Sequence, residues 1–396
     1  MDNNQLVVIN SGSSSIKFAV YELNSALTRV LHGQVGNLGI SPVLKVYDKN
    51  QALIKEQHFN KDCNYSFFYE LLFSSLKTSQ QQFKIQAVGH RVVHGGNDFH
   101  APVLLSDAIV QQLKQYIPFA PLHQPYNIEA IETIARLFPG LSQIACFDTA
   151  FHRTHPAVAD TFGIPRKLSE EGLKRYGFHG LSYEFIMHQL AIMKAKRRLG
   201  RVVIAHLGNG ASMCAVREGK SIDSSMGFTA LDGLVMGTRC GNLDPGVIFY
   251  LLESKTMSAK AIQSLLYKQS GLLGVSEISS DMQELLESTN LQAKQAIELF
   301  VYRIRRELGA LTAVLGGLDL LVFTGGIGEH AWQIREAVCQ NNEWFGLKLD
   351  SALNKANELR ISEQSSAVDV LVIPTDEDWI IAHHCYQLIN NEAKYG

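Results

Sequence analysis

The chain has 396 residues, of which 46% are hydrophobic and 19% charged, and its formal net charge is −2. That composition supports a large core in roughly two to three domains, excludes a disordered chain, and gives no electrostatic reason to expect nucleic acid or an acidic membrane as partner. Met1 opens no basic-then-apolar leader, and the most apolar window, Gly309–Phe323, is too short to span a bilayer and carries Asp319, so a cytoplasmic location with no membrane partner is expected.

Leu6–Val20 reads as strand, turn, strand, because Ile16, Phe18 and Val20 alternate with Lys17 and Ala19. A strand is predicted over Ala87–Val93 and a helix over Ser106–Ile117. A second helix is predicted over Tyr126–Leu137, with Asn127 as a candidate cap and Pro139-Gly140 as its stop. Further strands are predicted at Gln143–Phe147, Arg201–Ala205, Ala211–Val216, Leu318–Phe323 and Val368–Ile373. Helices are predicted at Ser258–Gln269, Asp281–Ser288, Ala293–Leu315, Trp332–Gln340 and Glu377–Asn390. Strands mixed with helices define an α/β chain. "VVINSGSSSIKFAVYEL" from Val7 echoes "VVIAHLGNGASMCAVREGK" from Val202; each is a strand, a Gly-bearing turn and a second strand. The echo reads either as two ordinary hairpins or as a duplicated domain whose turns face a shared cleft.

Small residues let backbone N–H groups approach an anion. Three segments after strands have this chemistry: Asn10–Ser15, Gly208-Asn209-Gly210, and Gly325-Gly326-Ile327-Gly328, the last placed before a helix predicted from Ala331. Together they predict a phosphate ligand. "REGKS", Arg217–Ser221, is not a Walker A end, because Cys214 stands where that loop needs Gly, and the Gly325 stretch lacks the order GxGxxG. A phosphate binder of neither type points to the two-domain, actin-like ATPases. The six cysteines form no CxxC pair, and His90 with His94 lacks an HExxH context, so neither a disulfide framework nor a zinc site is expected.

Polar side chains recur in short motifs: Arg91 in an apolar context in "GHRVVHGG", His123 between prolines in "APLHQP", Asp148 at a strand end in "CFDTAFH", His179 and Arg239 in the Gly-bounded turns of "RYGFHGLS" and "MGTRCGNLDPG", and Glu377 at a strand-to-helix junction in "PTDEDW". Each alone reads as a structural hydrogen-bonding group. As a set they are what phosphoryl transfer to a carboxylate needs. These segments, with "NSGSSSIKF", "HLGNGAS", "SGLLG" and "FTGGIGEH", resemble the acetate kinases in order and nearly end to end.

The resemblance implies duplicated ribonuclease H-like (actin-like ATPase) domains around a nucleotide cleft, one of residues 1–149 plus 380–396 and one of residues 150–379. It implies reversible transfer from ATP to acetate, with Mg²⁺ (Mn²⁺ as the substitute) held by Asn10 and Glu377, in a homodimer. Arg91, His123, Asp148, His179 and Arg239 would be catalytic. Arg91 would also bind the substrate carboxylate, with Val93, Leu122, Phe178 and Ala230 around its methyl group. ATP would meet Ser13, Lys17, His206, Leu207, Gly208, Asn209, Gly210, Asp281, Met282, Gln283, Gly325, Gly326, Ile327, Gly328 and Glu329. A carboxylate is already ionised near neutral pH, so Asp148 is assigned to orienting arginine and metal-bound water rather than to proton transfer.

The sequence departs from the family at four positions. Ala230 stands where a Pro is usual, which opens propionate as the alternative acceptor. Cys240 and Asn242 replace the usual Ser and Asp after Arg239, and Gln283 replaces an adenine-contacting Arg. Ser280 and Gln283 also fit a plain capping box. The rival from another class is an actin-like nucleotide switch, which needs the phosphate turns but not this anion-binding set.

Overall fold

Leu6, Val7, Val8 and Ile9 are all buried, as a strand at the centre of a covered sheet requires. The computed structural model describes residues 4–23, 27–77, 84–193 and 200–395. It divides into two units, Met1–Ala150 with Asp376–Gly396, and Phe151–Thr375.

The first unit holds strands β1 (Asn4–Ser11), β2 (Ile16–Glu22), β3 (Thr28–Gly36), β4 (Val43–Asp48), β5 (Leu53–His58), β6 (Lys84–Val92), β7 (Val103–Leu104) and β8 (Ser142–Phe147). Their order across the sheet is β5-β4-β3-β2-β1-β6-β8-β7. The second unit holds β9 (Arg201–Leu207), β10 (Ala211–Arg217), β11 (Lys220–Ser224), β12 (Leu320–Thr324) and β13 (Asp369–Val372), ordered β11-β10-β9-β12-β13.

Within each unit three antiparallel strands are followed across the sheet, beyond the free edge of the first, by two strands parallel to it. Thus β3-β2-β1-β6-β8 and β11-β10-β9-β12-β13 share one pattern. The sequence echo is therefore a repeated hairpin at the same place in two like sheets. The β4–β5 hairpin and the short β7 extend only the first sheet. The "REGKS" segment is a hairpin turn between β10 and β11, with Glu218 at φ 52° and Gly219 at φ 80°.

Helix Gln124–Leu137 packs on β1 and β6, and so does the last helix, Glu377–Tyr395. Gly89 makes the second approach close, since a Cβ there would stand 2.7 Å from both Cys385 Sγ and Ile381 Cγ2. The chain rejoins the first unit at Asp376, not after residue 379. The reason is local: Arg29 donates to Asp376 at 3.3 Å, and Glu377 in the next turn pairs with Arg91.

His90 on β6 is buried, and its Nε2 donates to Gln143 Oε1 at 2.8 Å. Burial pushes its pKa down to about 4, against a partial upward pull from Gln143. The unfolded chain therefore binds the His90 proton more tightly than the folded one. Stability from this site is full above the unfolded value of 6.5 and is lost as pH falls from there to about 4. Wild type should lose about 3 kcal/mol to this group over that interval, and His90→Gln should lose correspondingly less in urea melts at matched pH.

Candidate active site

In the first unit the Asn10–Ser15 turn is braced from behind. Tyr65 OH donates to Gly12 O at 2.7 Å, Tyr69 OH to Ser11 Oγ at 3.0 Å, and Gly12 N to Ser15 O at 2.9 Å. Ser13 is exposed at the tip. Lys17 on β2 lies directly across the hairpin from Asn10 at the end of β1. Asn127 does not cap its helix, whose N-cap is His123. Instead Asn127 Nδ2 donates to Ser11 O at 2.8 Å while its Oδ1 accepts Val93 N at 3.0 Å. One buried amide thereby ties the Ser11 turn to the loop after Arg91.

Arg91 is the hub of this unit. Its Nε and Nη2 donate to the two oxygens of Asp148 at 3.0 and 2.6 Å, a two-pronged pair at the carboxyl end of β8. Its Nη1 donates to Asn10 Oδ1 at 3.4 Å, and Nε lies 3.7 Å from Glu377 Oε2. Burial disfavours the Arg91 charge, but Asp148 and then Glu377 outweigh it, so its pKa is raised. Val93 is buried beside this group; Leu122 and His123 are half-buried at the start of helix Gln124–Leu137. Asn10, Arg91, Asp148 and Glu377 are thus one connected cluster.

In the second unit His179 caps helix Gly180–Ile192 with a left-handed backbone, φ 58°. Its Nδ1 meets Ser212 Oγ at 2.8 Å, and Ser212 Oγ is also bonded to Tyr183 OH. The His206 ring stacks on it at 4.4 Å, and His206 Nδ1 meets Ser182 Oγ at 2.8 Å. Arg239 Nη1 donates to Ala230 O at 2.9 Å. A Cβ on Gly210 would stand 3.2 Å from His179 Nε2 and 3.9 Å from Arg239 Nη1. The glycine turn, the imidazole and the guanidinium therefore border one small space. Phe178 is buried next to His179.

A pocket of about 570 Å³ opens beside this turn. Its wall includes Gly208, Asn209, Asp281, Met282, Gln283, Gly326 and Ile327, together with Trp332, which the sequence did not single out. Leu207, Gly325, Gly328 and Glu329 are not on that wall. Leu207 is fully buried, and Glu329 Oε1 accepts Gly325 N at 2.9 Å and Thr375 N at 3.1 Å.

Two local expectations change. Gly325–His330 is itself a helix rather than a turn ahead of one, so its N-terminal N–H groups follow β12 directly. The cap of helix Met282–Glu287 is Asp281, which accepts Gln283 N and Glu284 N, not Ser280. A carboxylate with two backbone partners outcompetes the serine hydroxyl. Gln283 Nε2 donates to Glu287 at 3.0 Å.

Arg335, fully buried, is a residue sequence reasoning missed. It donates to Gly328 O and Glu329 O, each at 2.9 Å, and to Asn354 and Asn357, fixing the end of the Gly325–His330 helix. Its place among Ile334, Val338 and Cys339 gives no hint of this in a sequence that reads as an ordinary amphipathic helix.

Two like α/β units with glycine turns at the hairpins, an Arg–carboxylate cluster in one and a His–Arg group in the other define a phosphotransferase of the actin-like ATPase fold. Comparison with known proteins narrows the class. The sequence model of the acetokinase family matches residues 5–383. An acetate kinase of Rhodopseudomonas palustris is 51% identical over 389 residues, covering 97% of this chain and 98% of that protein. One of Methylocella silvestris is 50% identical over 398 residues, covering 98% of each. Among solved structures, the acetate kinase of Porphyromonas gingivalis matches with TM-score 0.88 and 36% identity over 98% of this chain and 100% of that one. A propionate kinase of Francisella tularensis matches with TM-score 0.89 and 36% identity over 96% and 98%. This chain belongs to the acetokinase family.

Proposed function

We propose that the protein transfers the γ-phosphoryl group of ATP to acetate, giving ADP and acetyl phosphate, and runs the reverse reaction. The observation that carries this reading is the grouping of His179 Nε2 and Arg239 Nη1 around Gly210, beside the pocket walled by Gly208, Asn209 and Ile327. A nucleotide switch has no need of that pair.

The acetate oxygen attacks phosphorus, the bond to the ADP oxygen breaks, and its electron pair leaves with ADP. No proton need move, so catalysis is positioning and charge neutralisation. In a neutral His179 that donates from Nε2 to a phosphoryl oxygen, Nδ1 accepts from Ser212 O–H, and Ser212 Oγ then accepts from Tyr183 O–H. The observed contacts supply that relay. His123 is assigned a supporting role toward the phosphoryl group, and Arg91 holds the acceptor carboxylate. Asp148 grips two nitrogens of Arg91, which fits an orienting role.

The donor set fits Mg²⁺, with Mn²⁺ as substitute: Asn10 Oδ1 and the Glu377 carboxylate are hard oxygens that both approach Arg91. Two protein oxygens suffice where substrate phosphates and water complete the shell. When bound, the ion would neutralise phosphate charge.

ATP consumption with acetate, propionate and butyrate, trapped with hydroxylamine, tests the reading. Acyl hydroxamate from acetate is expected; none from any acid would end it. Ala230, in place of the usual proline, favours propionate as a second acceptor, since one methylene is worth only about 1–3 kcal/mol in such a pocket. A homodimer is supported by helix Pro245–Glu253, where no residue is buried and Phe249 and Tyr250 are 59% and 53% exposed. A cytoplasmic setting is supported by six free cysteines. Among the described residues no helix is long and apolar enough to cross a membrane.

A further inference from the structure

A buried polar chain in the second unit ends on the peptide that carries His179. His152 Nε2 lies 2.9 Å from Phe178 O, and its Nδ1 lies 2.9 Å from Ser221 Oγ. Ser221 Oγ lies 2.8 Å from His155 Nε2 and 3.1 Å from Cys214 Sγ. His155 Nδ1 in turn meets Asp160 Oδ1 at 2.9 Å. His152, Ser221 and Cys214 are completely shielded from solvent, so no substrate reaches them and the chain is not a hydrolytic triad.

A carbonyl only accepts, so His152 Nε2 donates to Phe178 O, and in the neutral ring Nδ1 then accepts from Ser221 O–H. Burial, and then the neighbouring His155, hold the His152 pKa well below its usual value, which suits this neutral tautomer.

The target of the chain is strained. A left-handed φ of 58° crowds the Cβ of a histidine against its own backbone and persists only if its surroundings enforce it. Three contacts do so on the N-terminal side. His152 holds Phe178 O, Arg153 Nη2 donates to Tyr176 O at 2.6 Å, and Tyr176 N donates to Gly227 O at 3.0 Å. Gly177, at φ 75°, presses on the His152 ring, since a Cβ there would stand 2.6 Å from it.

We infer that His152 is a positioning residue for His179, acting through the Phe178 carbonyl, with Ser221, His155 and Asp160 setting its ring orientation. The inference rests on the reading of His179 as a phosphoryl contact. It makes the run from Phe151 to Asp160 part of the catalytic apparatus without touching substrate.

The test compares His152→Leu, which removes the donor, His152→Gln, which restores an N–H at the same reach, and Ser221→Ala, which cuts the chain one link away. Kinetics are read beside imidazole NMR of His179 in ¹⁵N-histidine-labelled protein. In His152→Leu kcat should fall about 100-fold, and in Ser221→Ala about 10-fold, with KM for ATP within about 2-fold of wild type. His179 resonances should shift in both, and His152→Gln should recover most of the lost kcat and the wild-type shifts. Ser221→Ala and His152→Leu with kcat per nucleotide-binding site within about 2-fold of wild type, or His152→Gln as slow as His152→Leu, would overturn the inference. If His152→Leu does not fold, Ser221→Ala decides alone. If wild type phosphorylates no carboxylate, the functional reading fails, and the His179 resonances still judge the positioning.

Discussion

Replacing Arg91 by lysine should lower kcat by about 1,000-fold while the protein still folds and binds nucleotide. Arg91 uses three nitrogens at once: Nε and Nη2 on Asp148, and Nη1 toward Asn10. Lysine brings a single ammonium on a flexible stem and cannot hold both oxygens of Asp148 while facing a second anion. The same geometry predicts what Asp148→Asn does. The amide keeps the volume but offers one acceptor and a donor that opposes the Arg91 N–H groups, so the guanidinium loses its clamp. If Asp148 works by aiming Arg91, the two substitutions disable one device. The double variant should then be little worse than the slower single, with a coupling energy close to the whole loss of the milder single. If Asp148 moves a proton instead, the losses should multiply. Steady-state kcat for the four proteins with acetate separates these outcomes, and additive losses would refute the orienting role.

The core strands were legible because burial on both faces leaves an unbroken apolar run, as in Leu6–Ile9 and Leu320–Phe323. The motif residues were legible because packing alone would not place a charge inside an apolar strand, as at Arg91 on β6, or glycines in series after a strand, as at Gly208 and Gly210. Strands β3–β5 were not found. Their apolar residues are broken by Arg29, His32, Lys45 and Lys55, and β5 is exposed throughout, so no hydrophobic period marks it. Asn127 departs from its expected capping role for a different reason. A helix-initiating asparagine and one that braces two distant loops carry the same local signal, and only the long-range partners Ser11 and Val93 tell them apart. Arg335 and His152 share this limit. Each is a polar residue whose role lies in carbonyls far away in the chain, at Gly328 for one and Phe178 for the other. Within the Gly325 stretch, sequence marks the glycines equally, whereas Glu329 ties up the Gly325 N–H and only Gly326 and Ile327 face the pocket.

Gly210→Ala should abolish most activity without unfolding the protein, a separation few substitutions give. Gly210 is not in the left-handed region, so alanine brings no backbone strain, and the loss of stability should be limited to the one tight contact, about 1 kcal/mol. The added methyl would stand 3.2 Å from His179 Nε2 and 3.9 Å from Arg239 Nη1. The first contact is tight, and the imidazole cannot easily retreat, since Ser212 holds its Nδ1 and His206 stacks on its face. The methyl therefore fills the space where both donors would meet a phosphoryl oxygen. It puts an apolar group where negative charge must be neutralised, and a displacement near 1 Å in such a site costs about 100-fold. KM for ATP should change less than kcat, because the pocket wall formed by Asp281, Met282 and Ile327 is untouched. Gly219→Ala is the opposite control. It sits at φ 80° with open space around it, so alanine should cost about 1 kcal/mol of stability and leave kcat at the wild-type value. Wild-type kcat in Gly210→Ala would mean that His179 and Arg239 do not converge on the transferred group, and the proposed chemistry of the second unit would have to be abandoned.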